Sequence, residues 1–127
     1  MNKKLIAITI SFCILLIGFL AILSGTAKDP VANSEIKDGV QYITIDAKGG
    51  YSPRLSMAKA GIPTKLIVKT NNTYDCSLSL VIRSIGYENF LSQTGETIID
   101  LGTPKGDEPL VGLCSMGMYS FKIQFET

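Results

Sequence analysis

The sequence predicts an all-β domain, a β-sandwich or small barrel, carried behind one apolar N-terminal segment. Three observations lead there. Six or seven short runs of β-branched and aromatic residues recur from Val40 onward at roughly 8–12-residue spacing, bounded by Gly, Pro or Asn. No stretch in that region carries the 3.6-residue apolar period of an amphipathic helix. The one long apolar run, Leu5–Gly25, holds no charged residue in 21 positions, 16 of them apolar.

The chain opens on Met1-Asn2-Lys3-Lys4, and Leu5–Gly25 then has a membrane-spanning length, since roughly 20 residues rising about 1.5 Å each cross a ~30 Å hydrocarbon core. One N-terminal transmembrane helix over residues 1–25 is therefore expected. The short positive flank puts the N-terminus in the cytoplasm and the rest of the chain outside, a single-pass protein of the cell membrane. The alternative is a signal peptide cleaved near Gly25-Thr26-Ala27, giving a secreted or periplasmic product, although the apolar run exceeds the roughly 7–15 residues usual for cleavage. Cys13, preceded by Phe12, reads as a membrane-facing thiol. Residues 26–39 are polar and aperiodic and read as a tether.

Lys28–Thr127 is 100 residues with 10 Lys+Arg and 11 Asp+Glu, a net charge of −1. A chain of that length can bury a core of its own. The domain proper is placed at residues 40–127. Val40–Asp46 is a strand ending at the turn Gly49-Gly50. Leu55–Ala58 is a short alternating run that stops at Gly61-Ile62-Pro63. Thr64–Thr70 puts Leu66 and Val68 on one face and Lys65, Ile67 and Lys69 on the other, so one side is core. Asn71-Asn72-Thr73 breaks it. Leu78–Ile82 follows, then an irregular stretch from Gly86 to Gly95, a strand over Thr97–Leu101 and a loop over Thr103–Pro109. The last strand, Tyr119–Phe125, alternates, with Tyr119, Phe121, Ile123 and Phe125 inward.

Composition excludes much chemistry. There is no His among the 127 residues, so the commonest general base and the commonest transition-metal ligand are both missing. A formal charge of +1 argues against a nucleic-acid partner. Asp46, Asp75, Glu88, Glu96 and Asp100 are scattered acids rather than a general acid and base, and no enzymatic activity is expected.

What remains is sulfur. Cys76 and Cys114 lie outside the apolar segment, and Cys114-Ser115-Met116-Gly117-Met118 places a thiol and two thioethers within five residues at the mouth of the last strand. Soft thiolate and thioether donors select a soft monovalent metal, Cu(I) or Ag(I), over hard ions. Gly117 between the methionines allows a tight bend. Two cysteines outside the cytoplasm also fit a structural disulfide, with the methionines as core filler.

The layout resembles the cupredoxins, the Greek-key β-sandwiches of the blue-copper proteins, over Val40–Thr127. Ser52–Pro63 looks like the family's early strand and turn, Thr70-Asn71-Asn72 like the end of the following strand, and Cys114–Met118 like its Cys-to-Met ligand loop. Cys76 falls where the first ligand His usually stands. Both family histidines are missing, and the pattern is closer to bacterial, membrane-tethered cupredoxin-like modules with a Cys and a C-x-M-G-M loop. The resemblance implies a Greek-key sandwich and a copper site formed by Cys76, Cys114, Met116 and Met118.

Two thiolates with thioether favour Cu(I) over Cu(II), which points to a carrier or buffer in copper homeostasis, exchanging ligands with a metal-transport partner on the same membrane. Two other readings stay open: a disulfide-stapled sandwich that binds a protein or glycan through its loops, and a cupredoxin-type electron-transfer protein.

Overall fold

The structure, a computed structural model, describes residues 2–22 and 33–127. Among these described residues are one helix, α1 (Lys3–Ile22), and ten strands: β1 (Ser34–Lys37), β2 (Val40–Ala47), β3 (Tyr51–Ser52), β4 (Leu55–Lys59), β5 (Thr64–Thr70), β6 (Ser79–Ile82), β7 (Tyr87–Phe90), β8 (Gly95–Asp100), β9 (Leu110–Cys114) and β10 (Ser120–Glu126). Single 3-10 turns at Cys76–Leu78 and Arg83–Ile85 flank β6.

The strands make two five-stranded sheets. The first has the order β1-β2-β5-β8, with β3 also paired to β2; the second is β4-β10-β9-β6-β7. Alternation decides which face is inside. In β5, Thr64, Leu66, Val68 and Thr70 are buried while Lys65, Ile67 and Lys69 face outward. In β10, Phe121, Ile123 and Phe125 are buried. These side chains join Ile43, Ile45, Leu80, Ile82 and Cys114 in one core between the sheets.

The wall of that core near β9 depends on a glycine. A Cβ on Gly112 would fall far inside van der Waals contact with the Phe121 ring, which is itself 1% exposed. Phe121 in turn meets Tyr51 edge to face, with centroids 5.1 Å apart and an interplanar angle of 73°. Gly112 thus lets an aromatic pair fill the space under the cysteine end of the sandwich.

The expected all-β Greek-key sandwich with a transmembrane helix is corrected on two counts. First, the content is α+β and the sheets are mixed. β2 runs parallel to β5 and β4 runs parallel to β10. The chain leaves β2, crosses to the other sheet as β4, and returns as β5 in the direction it left, which hairpins alone cannot produce. Second, the described part of α1, Lys3–Ile22, begins with two lysines. Among the described residues no helix is long and apolar enough to cross a membrane. The processing site at Gly25-Thr26-Ala27 and residues 26–32 of the tether lie outside the described residues.

Smaller differences have local causes. The last part of the tether forms β1, pairing Ser34–Lys37 with Val40–Ile43. Within the irregular stretch, Tyr87–Phe90 forms β7 against β6. Leu110–Cys114, given no strand from its sequence, forms β9 between β10 and β6.

Candidate metal centre

Three loops meet at one end of the sandwich: the β2–β3 turn at Lys48–Gly50, the segment after β5 that holds Cys76, and the β9–β10 turn at Ser115–Tyr119. Cys114 is the last residue of β9, paired with Leu80 of β6 and fully buried. From there the chain reverses within a few residues. The Cys114 N–H donates to the Tyr119 carbonyl at 3.0 Å, and the Gly117 N–H donates to the Cys114 carbonyl at 2.8 Å. Gly117 makes the bend at φ +73°, in the left-handed region that glycine enters without steric cost.

The reversal turns backbone donors onto the Cys114 sulfur. The Tyr119 N–H reaches Sγ at 3.4 Å, and the nearby N–H groups of Met118 and Met116 favour its ionised form. The Cys76 side chain lies close enough to influence it electrostatically. Burial opposes ionisation of Cys114, but the Cys76 thiol and the three N–H groups outweigh it and hold the Cys114 thiol below its ordinary range. Cys76 is pushed the other way, first by the neighbouring Cys114 side chain and then by desolvation. Cys114 is thus the more readily ionised of the two.

Cys76 is positioned by its neighbours. Asp75 caps the Cys76–Leu78 turn: one carboxylate oxygen accepts from the Ser77 N–H at 2.8 Å and from the Ser77 hydroxyl, and the other accepts from the Gly49 N–H at 2.8 Å. The Ser77 hydroxyl accepts from the Gly50 N–H at 3.0 Å, and the Tyr51 hydroxyl donates to the Ser77 carbonyl at 3.0 Å. These bonds lower the Asp75 pKa, the Ser77 hydroxyl contributing most. Tyr51 is raised by burial and by the negative charges of Cys114, Cys76 and Asp75. The network staples the β2–β3 turn to the Cys76 segment. Asp75, one of the scattered acids of the sequence, is structural.

Met116 and Met118 sit on the turn beside the cysteine pair, 75% and 65% exposed. They are therefore not the core filler that the disulfide reading called for. Cys76 and Cys114 are both free thiols. Among the described residues no group of three or more His, Cys, Asp or Glu side chains could hold a metal. Two thiols and two thioethers are the soft donors available at this end. Tyr119 is partly buried against Gly50, whereas Tyr74 is 72% exposed.

The backbone donors around Cys114 were not visible as side-chain motifs. Gly117 is the one signal that pointed toward them. The Asp75–Ser77 staple had a signal too, an Asp two residues before a Ser, which is the spacing of a local cap.

No family model and no curated protein matches the chain. Solved structures do. The metal-binding domain of the Streptococcus pneumoniae D39 Cu(I)-exporting P-type ATPase CopA, solved with Cu(I), matches at a TM-score of 0.67 and 21% identity, over 74% of this chain and 93% of that one. A copper-binding protein solved in solution in its apo form matches at a TM-score of 0.66 and 25% identity, over 73% of this chain and 94% of that one. These likenesses correct the resemblance to the blue-copper proteins. The fold is shared with a transporter's metal-binding domain and with a copper-binding protein, and the mixed sheets with an N-terminal helix depart from an all-β Greek key.

Proposed function

We propose that the protein binds copper as Cu(I) and works as a carrier or buffer in copper homeostasis. The observation that carries this reading is the Cys76–Cys114 pair, brought together at one end of the sandwich with two exposed thioethers on the adjoining turn. The copper-binding character of both structural neighbours supports it.

Cys114, the more readily ionised of the pair, is the first ligand. Cys76 loses its proton and becomes the second. Met118 supplies a third sulfur, and Met116 acts as a fourth donor or as a lid. An all-sulfur set favours the monovalent ion, which carries no demand for nitrogen or oxygen donors. Backbone N–H bonds to Cys114 spread its charge and fix its orientation, as outer-shell partners do at metal sites. Exposure of the methionines lets a partner's ligand enter as one of them leaves. The role is transfer rather than catalysis, and a metal-transport protein is the fitting partner. We place the domain outside the cytoplasm, attached to a membrane through the apolar residues of α1, whose described side chains from Leu5 to Ile17 are solvent-exposed in the isolated chain.

Titrating the reduced full-length chain with Cu(I) against a chromophoric competitor tests the reading. One tightly held Cu(I) per chain, with an ultraviolet thiolate charge-transfer band and no intense visible colour on adding Cu(II), is expected. Recovery of the native protein with a Cys76–Cys114 disulfide that resists mild reductant, and no Cu(I) uptake, would replace it with a stapled interaction module.

A further inference from the structure

Beside Met118 the surface dips into a cleft of about 380 Å³ whose lining includes Lys48, Gly49, Arg54 and Ser120. A shallower cleft shares Arg54 and Ser120 with it and adds Lys122. The two are joined through the backbone, the Lys122 N–H donating to the Arg54 carbonyl at 2.9 Å. Among the described residues no Asp or Glu lines either one. The region from Lys28 onward carries a net −1, yet three of its ten cations gather on this shelf. None of the three is ion-paired: among the described residues the one salt bridge is Lys69–Glu96, at 3.5 Å. The acid tied to the cleft's rim is Asp75, and both its oxygens are occupied by Ser77 and Gly49.

We propose that this basic shelf docks the carboxylates of a small thiol that carries Cu(I) to the site. The proposal rests on the copper reading above and names the form in which the cargo arrives. A guanidinium fork and an ammonium are the groups that hold a carboxylate, Arg54 by two parallel bonds and Lys48 as a point charge. A concave cleft of this size fits a small ligand, since ligand pockets run from roughly 300 to 1,000 Å³. With its carboxylates on Lys48 and Arg54, the carrier's sulfur and its copper lie on the Met118 side. Transfer is then ligand exchange at constant oxidation state. A bond from Cu(I) to the carrier's sulfur breaks as a bond to a protein sulfur forms, and the proton lost by Cys76 passes to the departing carrier thiolate.

Stopped-flow transfer of Cu(I) into the full-length chain tests this with two donors: the mercaptosuccinate complex, which bears carboxylates, and the 2-mercaptoethanol complex, which does not. Lys48→Gln with Arg54→Gln should slow transfer from mercaptosuccinate by about tenfold, the lower end of electrostatic steering, and leave 2-mercaptoethanol transfer unchanged. The wild-type preference should also collapse at high salt. Equal slowing of both donors, or of neither, overturns the proposal. Copper-free mercaptosuccinate supplies a readout independent of the copper reading. It should shift the Gly49, Gly50 and Ser52 amide resonances of the wild type and not of the double variant. If those shifts appear but no Cu(I) enters, the copper reading fails while the anion site stands. If Cu(I) enters and the shifts are absent, the shelf is not a docking site.

Discussion

At the end of the sandwich away from the cysteines, Gln41 is buried to 1% exposure and both polar atoms of its amide are bonded. Its nitrogen donates to the Lys59 carbonyl and to the Thr64 hydroxyl, each at 3.0 Å, and its oxygen accepts from the Lys59 N–H at 2.9 Å. That clamp ties β2, β4 and β5 together across the two sheets. At the cysteine end the Asp75–Ser77 staple plays a similar part, but it stops short of the sulfurs. There the backbone donors are spent on Cys114, while Met116 and Met118 point out and Cys76 holds a displaceable proton. The difference separates structure from function. A buried polar group whose partners all lie within the protein adds stability and specificity, whereas donors left open at a prepared site are available to a ligand.

The sharpest way to break that contrast is to cross the two ends. Cys114→Ser should lower Cu(I) affinity by more than the roughly 10–100-fold that loss of an outer-shell partner costs, while the midpoint of urea unfolding of the copper-free protein moves little. Gln41→Leu should do the reverse. It strands the Lys59 amide and carbonyl and leaves the Thr64 hydroxyl only its bond to the Ile62 carbonyl, and should cost about 2–3 kcal/mol in urea unfolding with the Cu(I) stoichiometry intact. A Gln41 variant that folds normally and loses copper would erase the distinction between the ends.

Smaller effects sharpen it. Gly112→Ala forces the Phe121 ring out of its place and should cost about 1–3 kcal/mol, as overpacking does. Because Phe121 supports Tyr51 under the cysteine loops, near-ultraviolet circular dichroism of the tyrosines should change in the same variant. Asp75→Ala removes the cap beside Cys76 and should cost about 1 kcal/mol, with faster amide exchange at Gly49 and Ser77. Met116→Leu is expected to have the least effect on folding, since its side chain is open to solvent, and to weaken Cu(I) binding less than Met118→Leu. Equal losses for the two methionines would mean that both ligate to the same degree.

Much of the sandwich was legible because burial writes itself as alternation. Thr64–Thr70 was bounded correctly by Pro63 on one side and Asn71 on the other, with Leu66 and Val68 inward as read. Phe121, Ile123 and Phe125 likewise announce β10. Strands that lack a clean apolar face were not legible: Ser34–Lys37 and Tyr87–Phe90 are largely polar edge strands, and Leu110–Cys114 has its alternation masked by Gly112. Parallel pairing of β2 with β5 leaves no local trace, because direction is decided by where the chain crosses between sheets. At the site, Cys76, Cys114 and the two methionines stood out by type, and the fold brings the two cysteines together. The N–H groups that stabilise Cys114 carry no side-chain signature. Lys48, Arg54 and Lys122 are too far apart in sequence to be read as one patch.

X-ray absorption at the copper edge, on the full-length chain loaded with one equivalent of Cu(I), tests the central claim most directly. The account predicts a monovalent edge and a first shell made of sulfur alone, three or four atoms, falling by one when Met118 is changed to Leu. A first shell of nitrogen or oxygen, or a sulfur shell that survives Cys76→Ser and Cys114→Ser together, would contradict it.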